Sequence, residues 1–284
     1  MQFFIEVLIG GLLSGVMYAL VALGFVLIYK ASGVFNFAQG AMVFFAALTF
    51  VGFQEVLPGW LGLEAGSNTV FWLAFLLAFI AMIVLGVATE RIVLRPLVNQ
   101  PHITLFMATI GLTYLVEGVA QMVWGANVRG LDLGIVDEPI AWLMDNYEIG
   151  VSKFDLFAAG VAASLVALLA LLFQYTKVGR ALRAVAGFVA LVAGMICGAR
   201  NGVQFALTFT ALKALPVLIL GGFTSVPGAI IGGLIIGASE KLAEVYVGPY
   251  VGGGIEGWFP YMLALAFLLV RPEGLFGEKH IDRV

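Results

Sequence analysis

Thr109, Thr113, Glu117 and Gln121 recur every four residues inside one long apolar run, which places them on a single helix face. An ionisable group in such a run costs roughly 2.5–3.5 kcal/mol at mid-membrane on insertion scales, so its presence calls for a function. A polar row of this kind either lines a water-filled path or glues helices together, and glue is the commoner use. Lys213 stands in a second apolar run and pairs with Glu117 across a bundle, which makes both structural. Glu240 and Lys241 lie nearer the end of another run and are expected to reach the interface. Asn36 and Gln39, at a turn flanked by Phe35 and Phe37, either present amides to a passing solute or cap the next helix. The candidates to line a path are Asn36, Gln39, Thr113, Glu117 and Lys213.

Other chemistry finds no residues to carry it. No nucleophile, base and orienting partner stand together, so no catalytic residue is assigned. Neither the phosphate loop G-x-x-x-x-G-K-S/T nor H-E-x-x-H occurs. Two histidines and the single Cys197 make no metal site, and no cofactor is expected. His102, beside Pro101, reads as a solvated turn residue. A proton relay would need several buried carboxylates or histidines along a route, which are not present.

The elements that position these groups follow from composition. Of 284 residues, 62% are hydrophobic and 11% charged, with mean hydropathy +1.08. So little charge cannot cover a soluble domain of this length. Repeated apolar runs near twenty residues predict an all-α polytopic transmembrane bundle of about 8–9 spans, and residues 1–284 read as a single transmembrane domain. Barrel strands would be short and alternating. Without a basic leader or a cleavage motif, the first run is taken as a span rather than a signal peptide.

The expected spans are Ile5–Tyr29, Phe37–Phe53, Val70–Thr89, Ile103–Trp124, Phe154–Tyr175, Ala184–Ala199, Val203–Leu220, Ala229–Val247 and Trp258–Val270. Gln54–Thr69 reads as a loop, and residues 125–153 as an acidic segment outside the membrane. If each span crosses once, Lys30, Arg91, Arg95, Lys177, Arg180, Arg183, Arg271, Lys279 and Arg283 share one side. That excess puts them in the cytoplasm, the N-terminus and the acidic segment in the periplasm, and the C-terminus inside. Trp60, Trp72, Trp124, Trp142 and Trp258 gather toward the outer interface. The break at Gly221–Gly228 leaves the count open between a full turn and a re-entrant one. Gly194 with Gly198, Gly228 with Gly232, and Gly233 with Gly237 sit four apart, a spacing that lets helix backbones approach. Packing within one bundle is the favoured reading over an oligomer face.

Residues 176–186 form a cationic turn carrying Lys177, Arg180 and Arg183. The apolar span that follows, Ala184–Ala199, covers roughly 24 Å against a hydrocarbon core of ~30 Å. It is short for a crossing.

Together these stretches resemble the integral-membrane permease subunit of branched-chain amino acid ABC transporters. The likeness covers nearly the whole chain. It is carried by the run Gly11–Lys30, by G-V-F-N-F-A-Q-G-A-M at Gly33–Met42, and by K-V-G-R-A-L-R-A-V-A at Lys177–Ala186. It continues in Ala211–Gly233 and in R-P-E-G-L-F-G at Arg271–Gly277. The resemblance implies a bacterial inner-membrane, multi-pass importer subunit for leucine, isoleucine, valine or related solutes. It also implies partners: a second permease subunit, two cytoplasmic ABC ATPases and a periplasmic substrate-binding protein, in contact with membrane lipid and not with nucleic acid.

In the family, a polar coupling segment and half a span follow R-A-L-R-A-V-A; here Ala186 runs directly into Gly187. The resemblance thus implies that Gly179, Arg180 and Arg183 are the surviving flank of the ATPase contact, with topology marking as the equal alternative. Either the coupling segment is truly missing or the polypeptide carries residues beyond this sequence, and the second is favoured. The rival function is an ATP-independent channel or facilitator for a small neutral solute such as urea or an amide, for which a docking segment is dispensable.

Overall fold

The computed structural model describes residues 2–33, 35–97, 100–175 and 181–277. The described residues fold as helices: α1 Gln2–Ser32, α2 Gln39–Leu61, α3 Asn68–Ala88, α4 His102–Trp124, α5 Ala141–Tyr147, α6 Lys153–Tyr175, α7 Ala181–Asn201, α8 Ala206–Leu212, α9 Ala214–Gly221, α10 Val226–Tyr246, α11 Gly248–Val251 and α12 Phe259–Val270. A π-helical segment, Thr89–Leu94, extends α3. Six of these stretches are long and apolar enough to cross a membrane: Gln2–Lys30, Gln39–Leu61, Asn68–Leu94, Ile103–Trp124, Lys153–Leu171 and Val226–Tyr246. Three apolar helices are shorter: Val185–Asn201, Ala206–Gly221 and Phe259–Val270.

Local chemistry sets the ends. Ser67 Oγ accepts from the Val70 amide at 3.4 Å, and Ser225 Oγ from the Gly228 amide at 3.0 Å, so serine caps start α3 and α10. Ser152 Oγ takes the Phe154 amide at 3.0 Å and starts α6. Three expectations need correction. The loop expected at Gln54–Thr69 is shorter, because α2 runs through Pro58 to Leu61 and stops where Gly62 takes a φ of 65°. Pro58 falls in the last turn, where it removes only one ladder bond. The span expected at Val203–Leu220 is interrupted at Lys213, between α8 and α9. The Pro216 ring crowds the carbonyl four residues back, at Leu212, and that is where the helix breaks. The short sixth span is also longer than expected, since Arg183 and its neighbours join the helix. At 21 residues, α7 covers about 31 Å.

The chain divides into two compact units. One comprises Leu27–Leu133 and Val178–Leu212. Its core helix is α2, buried almost continuously from Gln39 to Gly52 and packed against α3, α4, α7 and α8. Gly194 of α7 lies so close to α2 that a Cβ there would sit 2.5 Å from the Val43 carbonyl oxygen. The Trp124 indole crosses Gly52 and donates to Thr49 Oγ at 3.2 Å. On α3 the outward row Trp72, Leu76, Ile80, Val84 is exposed and apolar, the inverse of a soluble helix.

The other unit comprises Met1–Val26, Gly134–Lys177 and Lys213–Val284. Here α10 is the core helix, against α9 and α12, with α1 crossing it at glycines. A Cβ on Gly15 would lie 2.5 Å from the Gly233 carbonyl oxygen, and one on Gly233 would lie 2.6 Å from that of Gly15. Gly232 meets the Val217 carbonyl in the same way. The glycine pairs seen in the sequence thus serve contacts inside each unit.

At the far end of α10, the Glu244 carboxylate accepts the backbone N–H groups of Gly254 at 2.8 Å and Glu256 at 3.0 Å. The chain wraps it through Gly252, Gly253 and Gly254, all with positive φ. Glu244→Ala is expected to speed amide hydrogen exchange at Gly254 and Glu256 selectively. Unchanged exchange there would contradict an anchoring role.

Candidate functional site: a cavity at the start of α2

Asn36 and Gln39 lie where the chain turns into α2, and both are buried, at 2% and 1% exposure. Asn36 Oδ1 accepts from the Ala38 amide at 3.1 Å, a local turn that fixes the entry to the helix. Gln39, the first residue of α2, is different: neither its Oε1 nor its Nε2 has a hydrogen-bond partner. Gln39 borders a cavity of ≈ 40 Å³, whose wall also includes Asn36, Thr89, Glu90, Met42 and Met82. Thr89 Oγ1 is also buried and unpartnered. Thr89 and Glu90 open the π-helical segment, in which the Arg95 amide reaches back five residues to the Glu90 carbonyl at 2.7 Å. Such π turns re-aim side chains and recur at functional sites.

The polar row of α4 stands elsewhere in the same unit. Thr113 Oγ1 donates to the Thr109 carbonyl of its own helix at 3.0 Å, and Thr109 does the same to Phe106 at 2.9 Å. Glu117, 4% exposed, lies beside the Thr208 hydroxyl, without a hydrogen bond of ordinary geometry between them. Both threonine hydroxyls are thus spent on the backbone of their own helix.

Lys213 is half-buried, and its partner is not Glu117. Lys213 Nζ lies 2.8 Å from Glu240 Oε1, and the Tyr18 hydroxyl donates to the same oxygen at 3.1 Å. The ammonium also sits 5.8 Å from the Tyr18 ring centroid. Glu240 does not reach the interface as expected; it is 1% exposed, and its Oε2 has no partner. Successive helix residues point about 100° apart, so Glu240 and Lys241 cannot both face outward together. Lys241 takes the outer position and pairs with Glu256 at 2.9 Å.

Of the expected ATPase-contact residues, Gly179 and Arg180 lie outside the described residues. Arg183 falls in the first turn of α7, and its side chain lies outside them too. Among the described residues no cluster of histidine, cysteine or carboxylate groups is arranged to hold a metal. Sequence reasoning missed Thr89, Glu90 and Tyr18, and placed Glu240 at the interface. For Thr89 and Glu90 a signal existed: Met82, Gly86, Thr89 and Glu90 follow a helical period toward one face.

The described residues form a helical membrane bundle with exposed apolar faces and a small cavity at the start of α2. Residues 7–187 match the family described as branched-chain amino acid transport system / permease component, and the chain belongs to it: it is the integral-membrane, inner-membrane subunit of an ABC importer. It is similar to the high-affinity branched-chain amino acid transport system permease protein LivH of Escherichia coli, at 24% identity over 99% of this chain and 98% of that protein. It is equally similar to BraD of Pseudomonas aeruginosa, a permease of the same description, at 24% identity over 99% and 98%. A probable branched-chain amino acid transport permease protein LivH of Methanocaldococcus jannaschii shares 26% identity over 95% and 92%. A chain of PsaBC from Streptococcus pneumoniae, solved with a Fab, is 14% identical over 92% of this chain and 89% of that one, with a TM-score of 0.44, too low to bear on function. The alignment with the Escherichia coli protein runs over 313 positions, 29 more than the 284 residues here. At least that many positions of LivH have no counterpart in this chain.

Proposed function

We infer that this chain moves leucine, isoleucine, valine or closely related amino acids inward, driven by ATPases on separate subunits. The observation that carries the reading is the match to branched-chain amino acid permeases along 99% of the chain. In this reading residues 1–284 act as one permease domain beside a second permease subunit, two cytoplasmic ABC ATPases and a periplasmic binding protein. The six long and three shorter apolar helices give nine membrane segments when α8 and α9 count as one. With nine crossings the cationic turns lie in the cytoplasm, the acidic segment 125–153 and the N-terminus in the periplasm, and the C-terminus inside.

Of the path candidates, Asn36 and Gln39 border the cavity, whereas Thr113 and Glu117 lie along α4 and Lys213 pairs with Glu240. In this reading Gly179, Arg180 and Arg183 are the surviving flank of the ATPase contact. Two findings support a coupling segment missing from this sequence after Ala186: the family match ends at Gly187, and LivH has at least 29 unmatched positions. Charge reversal of Arg180 and Arg183 to glutamate is expected to abolish co-purification of the ATPase while the permease is still inserted. Retained co-purification would assign those cations to topology alone.

Glu117→Gln separates path from glue. Its buried setting beside Thr208 predicts normal uptake with a loss of about 1 kcal/mol or less in stability, because the neutral amide keeps the shape and removes a buried charge. Lost uptake at normal expression would instead put Glu117 on the path. The second reading, an ATP-independent facilitator for urea or an amide, is favoured only by the shortened coupling turn.

A further inference from the structure

We propose that the short helix α5 lies along the membrane surface, seated in the headgroup layer of the leaflet at which α6 begins, against net-neutral phospholipid. The inference is independent of the solute carried and of the ATPases.

α5, Ala141–Tyr147, contains no buried residue. Its sequence, A-W-L-M-D-N-Y, is nevertheless mostly apolar, and Trp142, Met144 and Tyr147 are exposed. Seven residues are too few to hold a helix by themselves in water, and exposed aromatic surface marks a place of contact. At about 100° per residue, Trp142, Leu143, Asn146 and Tyr147 fall within one arc of roughly 140°, with Asp145 on the far side. Asn146 leaves that arc apolar in character, because its amide turns back to the Trp142 carbonyl at 2.9 Å. The Trp142 and Tyr147 rings meet edge to face, with centroids 5.5 Å apart.

Two anchors set the depth of this helix. Its flanks pair with each other: the Ile140 amide donates to the Val151 carbonyl at 3.0 Å, and the Lys153 amide to the Glu138 carbonyl at 2.9 Å. Lys153 is the first residue of the crossing Lys153–Leu171. The Gly150 amide donates to Glu6 Oε1 at 3.3 Å, and Glu6 lies in the first turns of the crossing Gln2–Lys30. All of these residues belong to one compact unit, so α5 is held where two spans enter the membrane. Phe3 and Phe4 on α1, and Leu156 and Phe157 on α6, are exposed and apolar in the same first turns. Tryptophan and tyrosine favour that depth, where the ring is in apolar surroundings and its polar tip is wet.

Charge selects the lipid. Gly134–Ser152 carries Asp137, Glu138, Asp145 and Glu148 and no lysine, arginine or histidine. Lys153, the next residue, pairs with Glu138 at 3.4 Å. Surface helices drawn to anionic lipid carry basic residues on the polar face, and here the charged groups would repel such headgroups. A zwitterionic headgroup fits, because its ammonium group meets the carboxylates. Part of the acidic segment expected to stand outside the membrane thus rests on it.

The test uses the full chain in a Cys197→Ala background, reconstituted into nanodiscs of phosphatidylcholine and phosphatidylethanolamine. A single cysteine, from Asn146→Cys or Asp145→Cys, carries an environment-sensitive fluorophore. The label at position 146 is expected to lose fluorescence to lipid spin-labelled near the headgroup and to resist aqueous iodide, with the reverse at 145. Trp142→Ser with Tyr147→Ser should return the label at 146 to iodide while the folded yield holds, since neither ring is buried. Equal iodide quenching at both positions, without quenching by lipid, would put α5 in water and overturn the proposal. Shielding at 146 that appears only when the binding protein or the partner permease is added would assign the face to a protein and overturn it too. Stronger lipid quenching when phosphatidylglycerol replaces part of the lipid, lost in high salt, would overturn the headgroup assignment.

Discussion

Lys213→Met is expected to be among the most damaging single substitutions in this chain. It strands the Glu240 carboxylate, 1% exposed, with only the Tyr18 hydroxyl for company. Breaking a buried ion pair by removing one partner costs about 3–5 kcal/mol, because the remaining charge is left uncompensated. Glu240→Met should be nearly as harmful, since it leaves the ammonium unpaired, although Lys213 is 22% exposed and can partly reach solvent. The double variant is the informative one. Replacing both charges with apolar groups of similar volume is often neutral, so Lys213→Met with Glu240→Met should recover most of the folded yield in detergent. Losses that simply add would contradict the pairing. Tyr18→Phe removes one hydrogen bond to the same oxygen and should cost about 1 kcal/mol.

Gly237→Val is expected to have the second large effect. The α1–α10 crossing brings Gly11 and Gly15 onto Gly233 and Gly237, and a Cβ at 237 would meet the backbone of Gly11 and Gly15. Backbone cannot turn aside as a side chain can, so the two helices must separate. Overpacking in ordinary cores costs about 1–3 kcal/mol, and this contact belongs at or above the top of that range. Loss of monodisperse protein after extraction is the measured outcome. The control is Gly160→Ala on α6, where an added Cβ meets nothing within 4 Å. It should be neutral or stabilising by up to about 1 kcal/mol through helix propensity. Equal tolerance of both substitutions would contradict the crossing.

Much of this was legible from residue order, because a membrane imposes length and apolarity on each crossing. The α4 helix begins within one residue of its expected start and ends where expected, and the inward row from Thr109 to Gln121 follows from spacing alone. What was not legible depends on partners distant in sequence. Lys213 finds Glu240, 27 residues away, only because α9 and α10 pack side by side. Nothing local to Glu240 and Lys241 says which of the two turns inward. The π turn at Thr89 has no reliable sequence mark, so Thr89 and Glu90 read as the end of a span when they border the cavity. Gln39 was singled out for its residue type at a turn, and it lies on the cavity wall. Pro216 was visible, but its consequence falls four residues upstream, at Leu212.

The central claim is that this chain is the passive half of an ATP-driven amino acid importer. It is tested most directly by uptake of labelled leucine into proteoliposomes containing the chain with its partner permease. Uptake is followed before and after addition of the ATPases, ATP and the leucine-loaded binding protein. The account predicts no appreciable flux until all three are present, and then uptake that stops when ATP is replaced by a non-hydrolysable analogue. Flux of leucine, urea or an amide through the permease alone, unchanged by ATP, would contradict it and establish a facilitator instead.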